Sequence, residues 1–122
     1  MSYDLCLKIY TKSGNRLLYK VFDNGHITYN VSEMLVALGI KSKASHLNMS
    51  FNEWIPKLEN ALNELENNIN EYKQYDSPNG WGTAENTFEI LKKLWVEIQE
   101  DLEDCQLRKS VEDGDVFISW LI

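Results

Sequence analysis

The stretch YDLCLKIYTKSGNRLLYKVFD, residues 3–23, decides the fold because it contains two strand patterns separated by a turn. In its first half, apolar side chains alternate with polar or small ones, which is the two-residue period of a strand with one buried face. These apolar residues are Tyr3, Leu5, Leu7 and Ile9. The segment TKSGN contains turn-forming residues, and the alternation then resumes. Residues 3–22 therefore predict a β-hairpin.

A second turn and a short helix are predicted to follow the hairpin. Asn24-Gly25 is a common turn dipeptide, and the segment HITYN after it predicts a short extended piece. The next segment, VSEMLVALGI, predicts a helix of about two turns. Asn30 or Ser32 can cap its start, and Gly39 is suited to end it.

Two long helices are predicted in the second half of the chain. SFNEWIPKLENALNELENNINEY, residues 50–72, has apolar residues every three or four positions, and Ser50 and Glu53 have capping-box spacing. Pro56 lies in the first turns, so we expect a bend or a short 3₁₀ start there. The second long helix begins after Thr83. Its predicted apolar face consists of Ala84, Phe88, Leu91, Trp95, Ile98 and Leu102.

The chain ends in GDVFISWLI, residues 114–122, which predicts a turn and a strand. This strand is expected to pair with the N-terminal hairpin. The alternative is a homo-oligomer in which it pairs with another chain and buries Trp120 and Ile122 there. The element order predicts an α+β fold: an antiparallel sheet of three to four strands, with two long antiparallel helices and one short helix on one face.

Length and composition indicate a single domain over residues 1–122. Hydrophobic residues make up 43% of the chain and charged residues 25%, which is typical of globular proteins. No apolar run approaches the roughly 20 residues that span a bilayer, and the start lacks a signal-peptide pattern. Cys6 and Cys105 lack metal-ligand spacing. We therefore expect a cytoplasmic protein with no membrane partner and no metal.

The formal net charge is −7, and the basic residues are scattered along the sequence. Phosphate backbones repel such a chain, so no nucleic-acid partner is expected. The acidic residues concentrate in segments 59–71 and 96–104. They can form the solvated faces of helices, or they can mask a basic surface on another protein.

The sequence contains none of the common catalytic or cofactor motifs, such as GxSxG, HExxH, CxxC, GxxxxGK[ST] or GxGxxG. His26 and His46 stand in loop-like surroundings, where a solvated or turn role is typical. We therefore predict no catalytic residues, no cofactor and no enzyme activity.

Two segments, HITYNVSEM at residues 26–34 and PNGWGTAEN at residues 78–86, each lead the chain directly into a predicted helix. A helix start offers free backbone N–H groups and the positive end of the helix dipole, which together suit an anion. The candidate ligand-binding residues are Thr28, Tyr29, Asn30, Asn79, Trp81, Gly82 and Thr83. In the competing interpretation, these residues form an ordinary turn and helix cap, and Trp81 packs into the core.

These two segments, together with WIPKLENAL at residues 54–62, resemble a family of small uncharacterised proteins of bacteria and their phages. The resemblance covers residues 26 to about 105, and its most specific part is the Asn-Gly-Trp-Gly element that opens a helix. His26 departs from the family pattern, which has asparagine at this position. The positions that match the family pattern are Thr28, Asn30, Met34, Asn79, Gly80, Trp81 and Gly82. The resemblance implies no established activity.

The first functional hypothesis is a non-catalytic small-molecule-binding protein, encoded by a phage or prophage, that sequesters an anionic nucleotide-derived signal of host defence. Trp81 or Tyr29 would stack on the ligand, and the N–H groups near Asn30 and Thr83 would hold its negative charge. The alternative hypothesis is an acidic interaction module or inhibitor that masks a basic surface of a host protein.

Overall fold

The structure, a computed structural model, describes residues 2–10, 16–41, 49–78, 80, 82–104, 108 and 115–121, with the backbone alone for residues 10, 16–19, 29, 115 and 121. The predicted turn at residues 11–15 lies outside this description, as do residues 42–48. The elements are β1 (Ser2–Tyr10), β2 (Arg16–Thr28), a 3₁₀ turn (Tyr29–Val31), α1 (Ser32–Ala37), β3 (Met49–Ser50), α2 (Phe51–Asn67), α3 (Ile69–Tyr72), a second 3₁₀ turn (Lys73–Tyr75), α4 (Ala84–Glu103) and β4 (Asp115–Leu121).

The four strands form one antiparallel sheet in the order β2-β1-β4-β3, with helices packed on it, which confirms the predicted α+β fold. β4 pairs with β1 within the same chain, and Trp120 lies opposite Leu5. Trp120 is 5% exposed, while Ile122 lies outside the described residues. The C-terminal strand is therefore an inner strand of the sheet.

The predicted turn at Asn24-Gly25 is wrong, because β2 continues through this dipeptide as far as Thr28. The register shifts between Asp4 and Cys6, so the segment 22–25 bulges out of the ladder. A Cβ atom at Gly25 would lie 2.8 Å from the Leu5 Cβ, so a glycine lets the two strands approach here.

The core lies between the sheet and the two long helices, α2 and α4. α4 packs on β2, α2 packs on β4, and the two helices pack against each other. The buried positions of α4 differ from the predicted apolar face, because Phe88, Trp95 and Leu102 are only half-buried. The buried positions are Ala84, Thr87, Leu91, Leu94 and Ile98, and the equivalent set on α2 is Phe51, Trp54, Leu58, Ala61 and Leu65.

The predicted long helix over residues 50–72 is interrupted at Asn68, where the backbone leaves helical geometry. The Asn67 side chain donates to the Asn63 carbonyl over 3.0 Å, and the Asn68 side chain donates to the Glu64 carboxylate over 3.3 Å. The Asn67 bond goes to a backbone carbonyl, and asparagine side chains compete in that way with the backbone hydrogen bonds of a helix. Apolar periodicity does not register this competition.

The predictions for three other helix features have mixed outcomes. Ser50 occupies the N-cap of α2 without a side-chain hydrogen bond, and α2 is α-helical from Phe51, so neither the capping box nor the 3₁₀ start forms. α1 begins without a side-chain cap, because the Ser32 hydroxyl lies 2.7 Å from the Tyr3 hydroxyl instead. Gly39 follows α1 with a φ of +81°, which confirms its predicted role.

Candidate functional site

The two segments that the sequence marks as helix starts meet at Gly82. This residue has a φ of +99°. A Cβ atom there would lie 2.8 Å from Val31 Cγ1 and 3.0 Å from Thr28 Cγ2. The Gly82 backbone therefore packs directly on the segment that leaves β2, and both its conformation and its neighbours favour glycine.

A cavity of about 570 Å³ lies beside this contact. The end of β2 and the first three turns of α4 form its walls. It is lined by Ser2, His26, Ile27, Thr28, Val31, Gly82, Asn86, Thr87, Glu89, Ile90 and Lys93. Pockets that bury small organic ligands have volumes of about 300 to 1,000 Å³.

The charged side chains of the cavity leave a positive group at its rim. Glu89 lines the cavity and pairs at the exposed surface with Lys92 over 2.7 Å. Lys93 is exposed and makes no ion pair or hydrogen bond with any residue that the structure describes. The ammonium group of Lys93 is therefore available to an anionic ligand.

Thr87 is the polar member of the buried stripe of α4. It lines the cavity and is 1% exposed. Within the described part of the chain, its hydroxyl oxygen has no hydrogen-bond partner. Most buried polar side-chain atoms in proteins have a partner, so this hydroxyl is an exception that requires an explanation.

The backbone N–H groups at the start of α4 already have partners. Asp76 Oδ1 accepts from the Ala84 N–H over 2.7 Å, and Thr83 Oγ1 accepts from the Asn86 N–H over 3.1 Å. The Glu85 carboxylate bonds its own backbone N–H, and this bond lowers the pKa of Glu85. The prediction that free N–H groups near Thr83 hold the ligand's charge is therefore wrong, because the protein's own oxygen atoms occupy them.

The seven candidate residues have different positions. Thr28 and Gly82 line the cavity, and Thr83 caps α4, as the competing interpretation proposed. The Asn30 N–H donates to Thr28 Oγ1 over 3.4 Å, so it too has a partner. The remaining three candidates, Asn79, Trp81 and the side chain of Tyr29, lie outside the described residues.

The sequence hypothesis missed the contributions of α4 to the cavity, chiefly Thr87 and Lys93. Thr87 stands three positions after Ala84 and four before Leu91, so a polar residue on the buried stripe was a usable signal. Lys93 carries no such signal, because an exposed lysine on a helix is an ordinary surface residue.

Ser2, Asp4 and His26 lie close together at the mouth of the cavity, but not as a catalytic triad. Asp4 Oδ1 lies 2.8 Å from His26 Nδ1, and Ser2 Oγ lies 3.5 Å from the same nitrogen. In a triad the serine and the carboxylate contact opposite nitrogens of the imidazole. This arrangement therefore lacks the geometry that activates a serine.

Two more cavities flank the molecule. One is lined by Tyr3, Ser32, Glu33, Val36, Ala37, Lys41 and Tyr75. The other lies along the contact between β2 and α4, and Lys93 lines both this cavity and the cavity beside Gly82. At this contact, the Glu97 carboxylate accepts hydrogen bonds from the Asp23 and Asn24 N–H groups over 3.0 and 2.8 Å. Glu97 thus fastens the β2 bulge to α4.

The described residues include no cluster of three or more His, Cys, Asp or Glu that could hold a metal ion. Among the helices in the described ranges, none has the length and apolar character to cross a membrane. Comparison with known proteins finds no matching family model, no similar characterised protein and no similar solved structure. The resemblance to small bacterial and phage proteins therefore stays a prediction.

Proposed function

We propose that the chain is a non-catalytic binding protein and that the cavity beside Gly82 holds a small, nucleotide-derived organic anion. The observation that carries this proposal is the cavity of about 570 Å³ where the Thr28–Val31 segment meets α4. Its walls combine apolar side chains with a few convergent polar groups, which is the usual composition of a small-molecule site.

The charges around the cavity support an anionic group at its rim and not at the start of α4. The carboxylates of Asp76 and Glu85 occupy the N–H groups of the first turn, and a second anion there would meet both. Lys93 is the exposed cation of the lining. Because the net charge is −7, attraction between the protein and an anion would depend on such local contacts.

Ser2 and Asp4 share one imidazole nitrogen of His26 and form no serine triad with it, and the proposal is one of binding without turnover. A protein that binds a nucleotide without converting it lowers the free concentration of that nucleotide. The resemblance to bacterial and phage proteins extends the proposal to sequestration of a host-defence signal, with Trp81 or Tyr29 as the stacking residue.

Isothermal titration calorimetry against cyclic and ADP-ribose-type nucleotides tests the proposal. We expect at least one of them to bind, and Lys93→Met to weaken its binding about tenfold, because a charge-assisted contact is lost. Lys57→Met on α2 is the matched control, since it makes the same change in net charge outside the cavity. Absence of heat with every nucleotide, or equal weakening by both variants, would contradict the proposal.

An acidic module that masks a basic surface is the alternative, favoured by the net charge of −7. The described contacts reduce the acidic surface it could use. Glu97 bonds the β2 bulge, Asp101 pairs with Lys20, and Glu64 accepts a hydrogen bond from Tyr72. A pull-down at low and high salt separates the two functions, because only this alternative predicts a strongly salt-sensitive protein partner.

A further inference from the structure

We infer that the Thr87 hydroxyl selects the ligand of this cavity by bonding a neutral polar edge, such as an amide or a nucleobase edge, while the negative group stays at Lys93. The inference rests on the proposed function, and it goes further by assigning an orientation to the ligand and a selecting residue to the site.

The first step is the unpaired hydroxyl. Thr87 is 1% exposed, and its Oγ1 has no partner among the described residues. A buried hydroxyl without a hydrogen bond destabilises the folded state. A ligand that forms a hydrogen bond with this hydroxyl removes the penalty, and this gain in free energy favours binding of the ligand.

The second step is the charge around Thr87. Thr87 is uncharged and lies on the buried face of α4, whereas the exposed cation of the lining is Lys93. A negative ligand group at Thr87 would be buried without a counter-ion, which costs more free energy than burying a neutral group that is hydrogen-bonded. A hydroxyl can donate to a carbonyl or ring nitrogen and accept from an amino group, so it suits a nucleobase edge.

The third step is distance. Thr87 and Lys93 line the same cavity and are separated by roughly 9 Å along the helix axis, at 1.5 Å per residue. A nucleoside phosphate carries its neutral base and its charged group at opposite ends, so one molecule can contact both residues. Thr87 itself lines the cavity wall, so a ligand in the cavity lies beside its side chain.

The test combines calorimetry and thermal unfolding of Thr87→Val, with cyclic AMP, ADP-ribose, adenosine and inorganic phosphate as probes. We expect nucleotide binding to weaken about tenfold on loss of the hydrogen bond. The melting temperature should rise by about 4 °C, because an unpaired hydroxyl is replaced by a methyl group of similar size. Inorganic phosphate should bind both proteins equally, since it contacts only Lys93.

A second pair of variants, Thr87→Ser and Thr87→Ala, covers the case in which valine is not tolerated. The two differ only in the hydroxyl, and the serine variant should bind nucleotide about tenfold more tightly than the alanine variant. Equal binding by wild type and Thr87→Val would overturn the role of Thr87 and leave the proposed function intact.

If the wild type binds none of the probes, the proposed function and the inference that rests on it both fail, whereas equal binding by wild type and Thr87→Val overturns the inference alone. The melting temperature tests the unpaired hydroxyl independently of binding. A Thr87→Val variant that melts below the wild type would show that the hydroxyl already has a partner, and this would overturn the inference. A variant that melts above the wild type supports the unpaired hydroxyl on which the inference depends.

Discussion

Trp54 and Trp120 share one hydrogen-bond acceptor: their indole N–H groups donate to the carbonyl oxygen of Ile40 over 3.0 Å and 2.9 Å. Trp54 belongs to α2, Trp120 belongs to β4, and Ile40 follows α1, so one carbonyl joins three elements. A carbonyl oxygen has two lone pairs and can accept both bonds. Both indoles are buried, at 0% and 5% exposure, so water does not replace a lost bond.

We predict that Trp54→Phe and Trp120→Phe each destabilise the fold by about 2 to 4 kcal/mol, because each removes a buried hydrogen bond and leaves a cavity. Since the two indoles share one acceptor, the double variant should depart from additivity by about 0.5 kcal/mol or more. Urea unfolding measures these free energies. Trp95→Phe is the control, because Trp95 is only half-buried. A control effect as large as the other two would contradict the role of Ile40.

Glu97→Ala should loosen the bulge of β2. The Glu97 carboxylate accepts from the Asp23 N–H, the Asn24 N–H and the Asn24 side chain. Removing this acceptor leaves the two partly buried donors of Asn24 unpaired, at a cost of about 1 to 3 kcal/mol, whereas water can replace the bond of the exposed Asp23 N–H. Hydrogen exchange at residues 23 and 24 should accelerate, whereas Glu100→Ala, one turn along α4, should leave it unchanged. Unaltered exchange in Glu97→Ala would show that the bulge of β2 is stable without the hydrogen bonds to Glu97.

Gly82→Ala and Gly80→Ala separate backbone strain from steric overlap. Both glycines have positive φ, at +99° and +77°, so both substitutions are strained by about 1 kcal/mol. A Cβ at Gly80 meets nothing within 4 Å, whereas one at Gly82 would lie 2.8 Å from Val31 Cγ1. Thermal unfolding should therefore show a larger loss for Gly82→Ala, by about 1 to 3 kcal/mol. Equal losses would mean that Val31 moves aside freely.

Glu85 should titrate below the ordinary range of a glutamate. Its own backbone N–H, and secondarily Lys73 at 3.0 Å, lower the pKa of Glu85. A carboxyl with a lower pKa in the folded state stabilises the fold at neutral pH, and this contribution is lost as the pH falls through that pKa. NMR titration should show that Lys73→Met raises the pKa only in part, because the backbone bond remains. A complete return to the ordinary value would contradict this order of causes.

The sequence predicted most of the secondary structure, and its errors have identifiable causes. Alternation located β1 and β4, and three-to-four spacing located α2 and α4, because each pattern reflects one face turned toward a core. The Asn24-Gly25 turn was wrong because this dipeptide lies in a bulge of β2 whose backbone bonds Glu97, some seventy residues away. The break at Asn68 was missed because apolar periodicity does not register the Asn67 side chain, which bonds the backbone carbonyl of Asn63.

For the site, the sequence marked two segments, and the structure joins them at Gly82. Thr28 and Gly82, two of the seven candidates, line the cavity, and their role in binding stays a prediction. Lys93 and Thr87 were not predicted, since their place in the cavity depends on which parts of β2 lie opposite them in the fold. The engaged N–H groups at the start of α4 were equally hidden, because Asp76 lies eight residues before Ala84 and reaches it only through the fold of the intervening loop.

By itself, the sequence determined the class of fold and the acidic net charge, since these follow from periodicity and composition, and it left the cap role of Thr83 as one of two interpretations. The tertiary structure alone decided that Thr28 and Val31 pack on Gly82, that Trp54 and Trp120 share one carbonyl, and that a cavity opens beside α4. The physical reason is the separation along the chain over which each kind of interaction acts. Local propensities act between neighbours in the chain, whereas an acceptor, a clash or a cavity exists only when distant residues are brought together.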